Sequence, residues 1–304
     1  MNKIVRVGSR ESKLAVRQAE IVMDSIKKND PEIELELVTI KTQGDKILDQ
    51  TLDKIGGKGL FIKELEQALF DLEIDIAVHS YKDMPYEETE NLPIIAQSER
   101  ESPFDALILP INADNHNYFT ADAQRAPLLP VGSSSLRRSI QVKALYKNLE
   151  TAPIRGNVIT RINKLDNGEY SAIILAEAGL NRLNLQNRIS KVFSADEMIP
   201  SASQGILAVQ GRKGEDYSYL SDFHSKKSEY VSRAERKYLK TLSGGCSVPT
   251  AAYAEIHGSE IKLIGMYVDE LDRIEKGYII GSLDEAEKIG EELALRLKDK
   301  AVKI

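Results

Sequence analysis

The chain has 304 residues, 42% of them hydrophobic and 29% charged; it is too long for one comfortable core, and its composition is that of a globular protein rather than a disordered, collagen-like or disulfide-stapled one. Its 41 Lys and Arg against 47 Asp and Glu, a net charge of −6, disfavour general nucleic-acid binding, which needs a basic face to displace phosphate counterions, while leaving room for a local basic pocket. No apolar run approaches the roughly 18 residues that span a bilayer, the N-terminal stretch turns polar too soon for a secretory segment and the single cysteine cannot form an internal disulfide, so a cytoplasmic chain with no nucleic-acid or membrane partner is expected.

In chain order, residues 4–8 form a short strand, and Leu14, Gln18, Ile21, Val22 and Ile26 recur at helical spacing behind Ser12, a helix-capping residue type. Leu35, Leu37 and Ile40 predict a second strand. Phe61, Leu65, Ala68, Leu69 and Leu72 predict a second amphipathic helix, and 74–78 a buried strand. The same grammar returns after Pro103: an apolar strand at 106–109, helices carried by Leu136, Ile140 and Leu145 and by Val158, Ile162 and Leu165, and a buried strand at 172–176. Two α/β domains with mostly parallel sheets are predicted. The stretch 114–130, with its Asn, Ala and Pro, reads as a surface excursion. Beyond Gly214 the pattern changes. A helix bearing Tyr230, Val231, Ala234, Tyr238 and Leu242, strands near 251–256, 261–268 and 274–280, and a helix with Ala286, Ile289, Leu293 and Leu297 predict a small α+β third domain.

Four segments hold residues able to do chemistry. In Gly56-Gly57-Lys58-Gly59, three glycines let backbone N–H groups approach an anion at a helix start. A flexible connection uses the same residues, and the Lys-Ser/Thr pair of a nucleotide P-loop is missing. Lys82 and Asp83 follow a buried strand, at the carboxyl end where open α/β sheets bind ligands; a solvated ion pair is the alternative. Gly132-Ser133-Ser134-Ser135-Leu136-Arg137-Arg138 combines hydroxyls, orphan N–H groups and two guanidinium forks, suited to carboxylates or phosphates, or else forms a serine-capped helix with exposed arginines. Arg155 and Arg161 add cations around the next helix start. Cys246, in Gly244-Gly245-Cys246-Ser247-Val248-Pro249, sits on a loop able to present a thiol to a cleft, although a lone cysteine is also commonly a small buried apolar residue. His79 fits a packed strand residue, and four histidines without a His or Cys cluster give a metal site no support.

Together these blocks resemble the porphobilinogen deaminase (hydroxymethylbilane synthase) family over nearly the whole chain. The matching segments are Val7-Gly8-Ser9-Arg10-Glu11-Ser12 with Gln18, Lys41-Thr42-Gln43-Gly44-Asp45, 56–61, 77–85, 132–138, Arg155-Gly156-Asn157, 165–179 and 244–249. The resemblance implies a transferase of haem-type tetrapyrrole biosynthesis that deaminates four porphobilinogen molecules, condenses them head to tail and releases linear hydroxymethylbilane. It implies a dipyrromethane cofactor joined to Cys246 by a thioether, with chain growth on its free α-carbon, and Asp83 as the catalytic carboxylate beside an electron-poor azafulvene. Cofactor contacts are implied for Lys82, Asp83, Ser133, Ser134, Ser135, Arg137, Arg138, Arg155 and Gly156. Substrate contacts are implied for Arg10, Ser12, Phe61, Arg155, Arg161, Arg182 and Gln204, and contacts from a lid over 45–58 for Lys54 and Lys58. Every pyrrole carries acetate and propionate, which explains the cations, and bidentate pairing explains the preference for arginine. The implied fold class is α/β: two periplasmic-binding-protein-like (type 2) domains around a cleft, 1–98 with 199–215 and 99–198, plus a small α+β C-terminal domain, 216–304, in a monomer. Departures from the family pattern are local: Ser133 where threonine is common, Ile159 before Thr160-Arg161, and Ser201-Ala202-Ser203 before Gln204-Gly205. The rival readings are a non-enzymatic binder of carboxylates and a phosphate-ester or nucleotide enzyme; ammonia release from porphobilinogen separates the first reading from both.

Overall fold

The computed structural model describes residues 4–42, 62–111, 119, 128–242, 249–269, 271 and 273–302. The expected lid over 45–58 lies outside the described residues, as does most of the expected excursion over 114–130.

The first lobe opens with β1 (Ile4–Arg10), α1 (Lys13–Asn29) and β2 (Glu34–Ile40), followed by α2 (Lys63–Phe70), β3 (Ile76–Ser80) and β4 (Ile94–Gln97). The α1 helix starts where its cap dictates, with the Ser12 hydroxyl accepting from the Ala15 N–H at 3.3 Å. Its Ala19, Val22 and Ile26 stripe is buried against Val5, Val7, Ile76 and Val78 of the sheet, and each large aliphatic side chain so buried contributes about 1.5–3 kcal/mol. The sheet order is β2-β1-β3-β10-β4, where β10 is Leu207–Gly211.

The second lobe repeats this plan with β5 (Asp105–Ile108), β6 (Val131–Gly132), β7 (Thr151–Ala152), β8 (Ala172–Ala176) and β9 (Lys191–Val192), in the order β7-β6-β8-β5-β9. Its helices are α3 (Leu136–Leu145), α4 (Val158–Asp166) and α5 (Glu177–Arg182). Each sheet is mostly parallel, as expected, but for one inverted strand. In the first, β10 runs antiparallel to both β3 and β4; in the second, β5 runs antiparallel to both β8 and β9. The reason is connectivity: the inverted strand of each lobe is the one that has just crossed from the other.

The two crossing segments, 98–104 and 199–206, lie side by side. Ser98 N–H donates to Leu207 O at 3.0 Å and Glu101 N–H to Gly205 O at 3.1 Å. Gly205 has φ +93° and a Cβ there would collide with the Glu101 carbonyl, so only glycine permits this approach.

The third domain comprises α6 (Lys226–Leu242), an antiparallel sheet of β11 (Ala251–His257), β12 (Glu260–Val268) and β13 (Ile274–Ser282), and α7 (Ala286–Val302). Its core is continuous with the first lobe: Val231, Ala234 and Tyr238 of α6 share one apolar cluster with Tyr81, Met84, Ala202 and Ile206. Among the described residues no helix is long and apolar enough to cross a membrane.

Candidate active site

A cleft of about 800 Å³ opens between the lobes, outside the carboxyl ends of the parallel strands of both sheets, the usual ligand position of such folds. On the first wall Arg10 ends β1 and Ser12 caps α1, while Lys82 and Asp83 sit on a single 3-10 turn, Tyr81–Asp83, that follows β3. Tyr81 and Met84 are buried, Tyr81 N–H donates to Ile206 O at 3.0 Å and Met84 N–H to Tyr81 O at 3.2 Å. The backbone of the turn is therefore anchored. Asp83 itself is exposed to the cleft, and among the described residues its carboxylate makes no hydrogen bond or ion pair. His79 is the packed strand residue expected, its imidazole pushed down to about 4 by burial and so neutral.

The second wall is built around a residue that the sequence reading passed over. Asp105, fully buried at the start of β5, accepts from Arg137 Nη1 at 2.7 Å, from Arg138 Nε at 3.0 Å and Nη2 at 2.7 Å, and from Gln204 Nε2 at 2.9 Å. Arg137 also donates to Ile199 O at 2.8 Å and Arg138 to Ile174 O at 3.1 Å. These arginines are buried, not the exposed pair of a merely serine-capped helix, and Ser135 holds the cap position of α3 without making a side-chain cap bond. Burial alone would raise the Asp105 carboxyl, but the Arg137 and Arg138 guanidiniums outweigh it and hold the group far below the usual carboxylate range.

Gln204 ties the walls together. Its Oε1 accepts from Lys82 Nζ at 3.1 Å, and its Nε2 donates to Pro103 O at 2.6 Å as well as to Asp105. Lys82 thus bonds Gln204 rather than its neighbour Asp83, and burial pushes its ammonium down to about 8 against the pull of Asp83. Arg161 donates from Nε to Gly156 O at 2.7 Å; burial, then repulsion from Arg138 and Arg155, pushes it down to about 10. Arg182 donates to Gly205 O at 2.6 Å and is likewise pushed down by burial. Gly156, at φ +111°, makes the bend that places Arg155 on the cleft just ahead of α4, where Asn157 Oδ1 accepts from Thr160 N–H at 3.0 Å.

The three serines separate. Ser134 and Ser135 line the cleft, and Ser134 Oγ also fastens the loop by accepting from Ile154 N–H at 3.0 Å and donating to Ile154 O. Ser133 lies behind the wall, because its buried hydroxyl accepts from Ser135 N–H and donates to Ser135 O, both at 3.3 Å, in a local serine turn. Lys54, Lys58, Phe61 and Cys246 lie outside the described residues. Among the described residues eight cations line the cleft, Arg10, Lys41, Lys82, Arg137, Arg138, Arg155, Arg161 and Arg182, against two carboxylates, Glu11 and Asp83.

The family described as "Porphobilinogen deaminase, dipyromethane cofactor binding domain" matches residues 5–219, and "Porphobilinogen deaminase, C-terminal domain" matches residues 230–299. The chain belongs to the porphobilinogen deaminase family. The porphobilinogen deaminase of Acetivibrio thermocellus is 56% identical over 293 residues, covering 96% of this chain and 97% of its own. That of Ruminiclostridium josui is 54% identical over 297 residues, covering 97% and 98%. Among solved structures, the periplasmic VFT2 domain of Bordetella pertussis BvgS aligns with 72% of this chain and 84% of its own at 13% identity and a TM-score of 0.41, too loose a likeness to carry any argument.

As a member of the porphobilinogen deaminase family, the chain is a transferase of tetrapyrrole biosynthesis with a dipyrromethane cofactor-binding unit. The residues fit that group. Each pyrrole brings an acetate and a propionate, and the cleft answers with clustered, desolvated cations whose strongest counter-ion, Asp105, stands behind the wall rather than in the cleft. Asp105 was visible in the sequence only as a polar residue abutting an apolar strand, a position equally suited to a solvated side chain.

Proposed function

We propose that this cleft carries out the hydroxymethylbilane synthase reaction with Asp83 as its catalytic carboxylate and with the dipyrromethane held by a thioether to Cys246. The supporting observation is that Asp83, one of two carboxylates in a cleft crowded with cations, makes no hydrogen bond or ion pair among the described residues and follows directly from the strand end that opens on the cleft. The cofactor, when bound, supplies the free pyrrole α-carbon from which the chain grows. Porphobilinogen loses ammonia to become an electron-poor azafulvene. Among the described residues Asp83 has no partner to release first, and its role is to stabilise that positive charge at the pyrrole N–H and to take and return protons there.

The remaining roles are binding and orientation. Arg10, Ser12, Arg155, Arg161 and Arg182 hold substrate carboxylates, while Lys82, Ser134, Ser135, Arg137, Arg138, Arg155 and Gly156 hold the cofactor's. Ser133 and Gln204 support the wall, since their hydrogen-bonding groups are engaged within the protein. Lys54, Lys58, Phe61 and Cys246 enter this reading through the sequence resemblance. The enzyme is taken to work as a monomer in the cytoplasm, which light scattering and cell fractionation check.

The deciding experiment is intact mass under denaturing conditions, combined with ammonia release from porphobilinogen. The parent should be two pyrrole units heavier than its polypeptide and Cys246→Ser should not. A parent at its bare mass, produced with porphobilinogen available, removes the cofactor assignment; full turnover by Asp83→Ala removes the catalytic one.

A further inference from the structure

Because the Asp83 carboxylate makes no bond of its own among the described residues, its place in the cleft is set by whatever holds the Tyr81–Asp83 turn. From within, the shared apolar cluster of Tyr81 and Met84 with α6 holds it. From the third domain, one side chain grips it at both ends. Arg236, in the middle of α6, places its guanidinium 4.3 Å from the ring centroid of Tyr81 and 5.8 Å from that of Tyr86. Its Nη1 donates to Tyr81 O at 3.4 Å and its Nη2 to Pro85 O. Among the described residues no carboxylate pairs with it, so its fork is spent on two carbonyls and two ring faces of the segment that carries Asp83.

Docking of the third domain is secured separately by the preceding residue. Glu235 is fully buried and accepts from Arg100 Nη1 at 2.7 Å, Ser203 N–H at 2.6 Å and Ala254 N–H at 2.7 Å, which fixes α6 on both crossing segments. Glu235 therefore seats the helix on the crossing segments, and Arg236 reaches past that seat to the turn.

We propose that Arg236 is a positioning residue for Asp83, fixing from the third domain the turn on which that carboxylate meets the reacting pyrrole. The inference rests on the role assigned to Asp83 above. Lysine cannot span two carbonyls and cover a ring at once, and a displacement of about 1 Å at a catalytic group costs on the order of 100-fold in rate.

The test uses full-length, cofactor-loaded protein, with loading read by intact mass. Arg236→Gln and Arg236→Lys are made in the parent and in an Asp83→Ala background, and kcat, KM and amide hydrogen exchange are measured. In the parent background both variants should lose about 10- to 100-fold in kcat with KM kept within about threefold, since the cleft cations are untouched. The Met84 amide, bonded to Tyr81 O, should exchange faster while the Ser203 amide, bonded to Glu235, keeps its protection. In the Asp83→Ala background, single-turnover rates should fall no further, because the two substitutions act through one group. Unaltered kcat in both Arg236 variants, or an equal loss on top of Asp83→Ala, overturns the positioning role alone. Full turnover by Asp83→Ala overturns the reading of Asp83 and this inference with it. If Arg236→Gln does not fold, Arg236→Lys, which keeps the charge and most of the stem, is judged by the same outcomes.

Discussion

Asp83 stands on one wall of the cleft and Asp105 behind the facing one, and the two carboxylates are held in opposite ways. Asp105 is fully buried and engaged by Arg137, Arg138 and Gln204, whereas Asp83 is exposed and, among the described residues, placed through its backbone alone. The contrast matches the roles proposed for the two walls. Arginines that receive a ligand's carboxylates need a fixed direction before the ligand arrives, and a buried counter-ion supplies it while offsetting their desolvation. A group that stabilises charge arising during the reaction must stay unpaired until then, or the existing bond would have to break first.

The largest effect that sharpens this contrast is expected at Asp83. Asp83→Ala should lower kcat by about 100- to 10,000-fold yet leave Tm within about 2 °C by calorimetry, because among the described residues the carboxylate makes no bond to lose. A large fall in Tm would show that Asp83 is tied into the fold after all. Asp105→Asn should do the reverse, costing about 3–5 kcal/mol of stability at pH 7 by urea denaturation because two buried guanidiniums lose their counter-ion. Since the Asp105 carboxyl lies below its ordinary value, its stabilisation is complete above the unfolded pKa and fades as pH falls toward the folded one. The gap between parent and Asp105→Asn should therefore be flat from neutral pH to about 5 and narrow below about 4. A gap that stays constant down to about pH 2 would mean that the Asp105 charge contributes nothing.

The smallest effect is expected at Lys82, whose ammonium is pushed down to about 8 by burial. KM for porphobilinogen should rise as pH passes that value, and Lys82→Arg, which keeps its charge, should remove the rise. Stability should not fall over the same range. A lysine whose folded pKa is depressed leaves the unfolded chain binding more protons between about 8 and 10.5, so its linkage raises stability there. Parallel losses of affinity and stability would instead indicate general unfolding.

Much of the fold was readable because local patterns carry it. The β1–α1–β2 opening, the Ser12 cap and the third domain's helices and strands follow from periodicity and capping chemistry. β10 did not, since its five residues are all buried and show no period, and β6, β7 and β9, at two residues each, are too short to leave one. The candidate site divided in the same way. Lys82, Asp83, Arg137 and Arg138 stood out as polar residues at element boundaries, but Asp105, Arg100, Glu235 and Arg236 looked like ordinary charged residues.

Taken alone, the order of residues determined the class of fold, the family and a cationic cleft facing Asp83, because periodicity and motif blocks are properties of neighbours along the chain. Only the tertiary structure decided which strands run backwards, which arginines are buried, and that Asp105 and Arg236 stand behind the two walls. A buried charge is tolerable only with partners, and here those partners are separated widely along the chain: Asp105 from Gln204, and Arg236 from Tyr81. Which charges meet is settled when the crossing segments and α6 close together, and no local pattern records it.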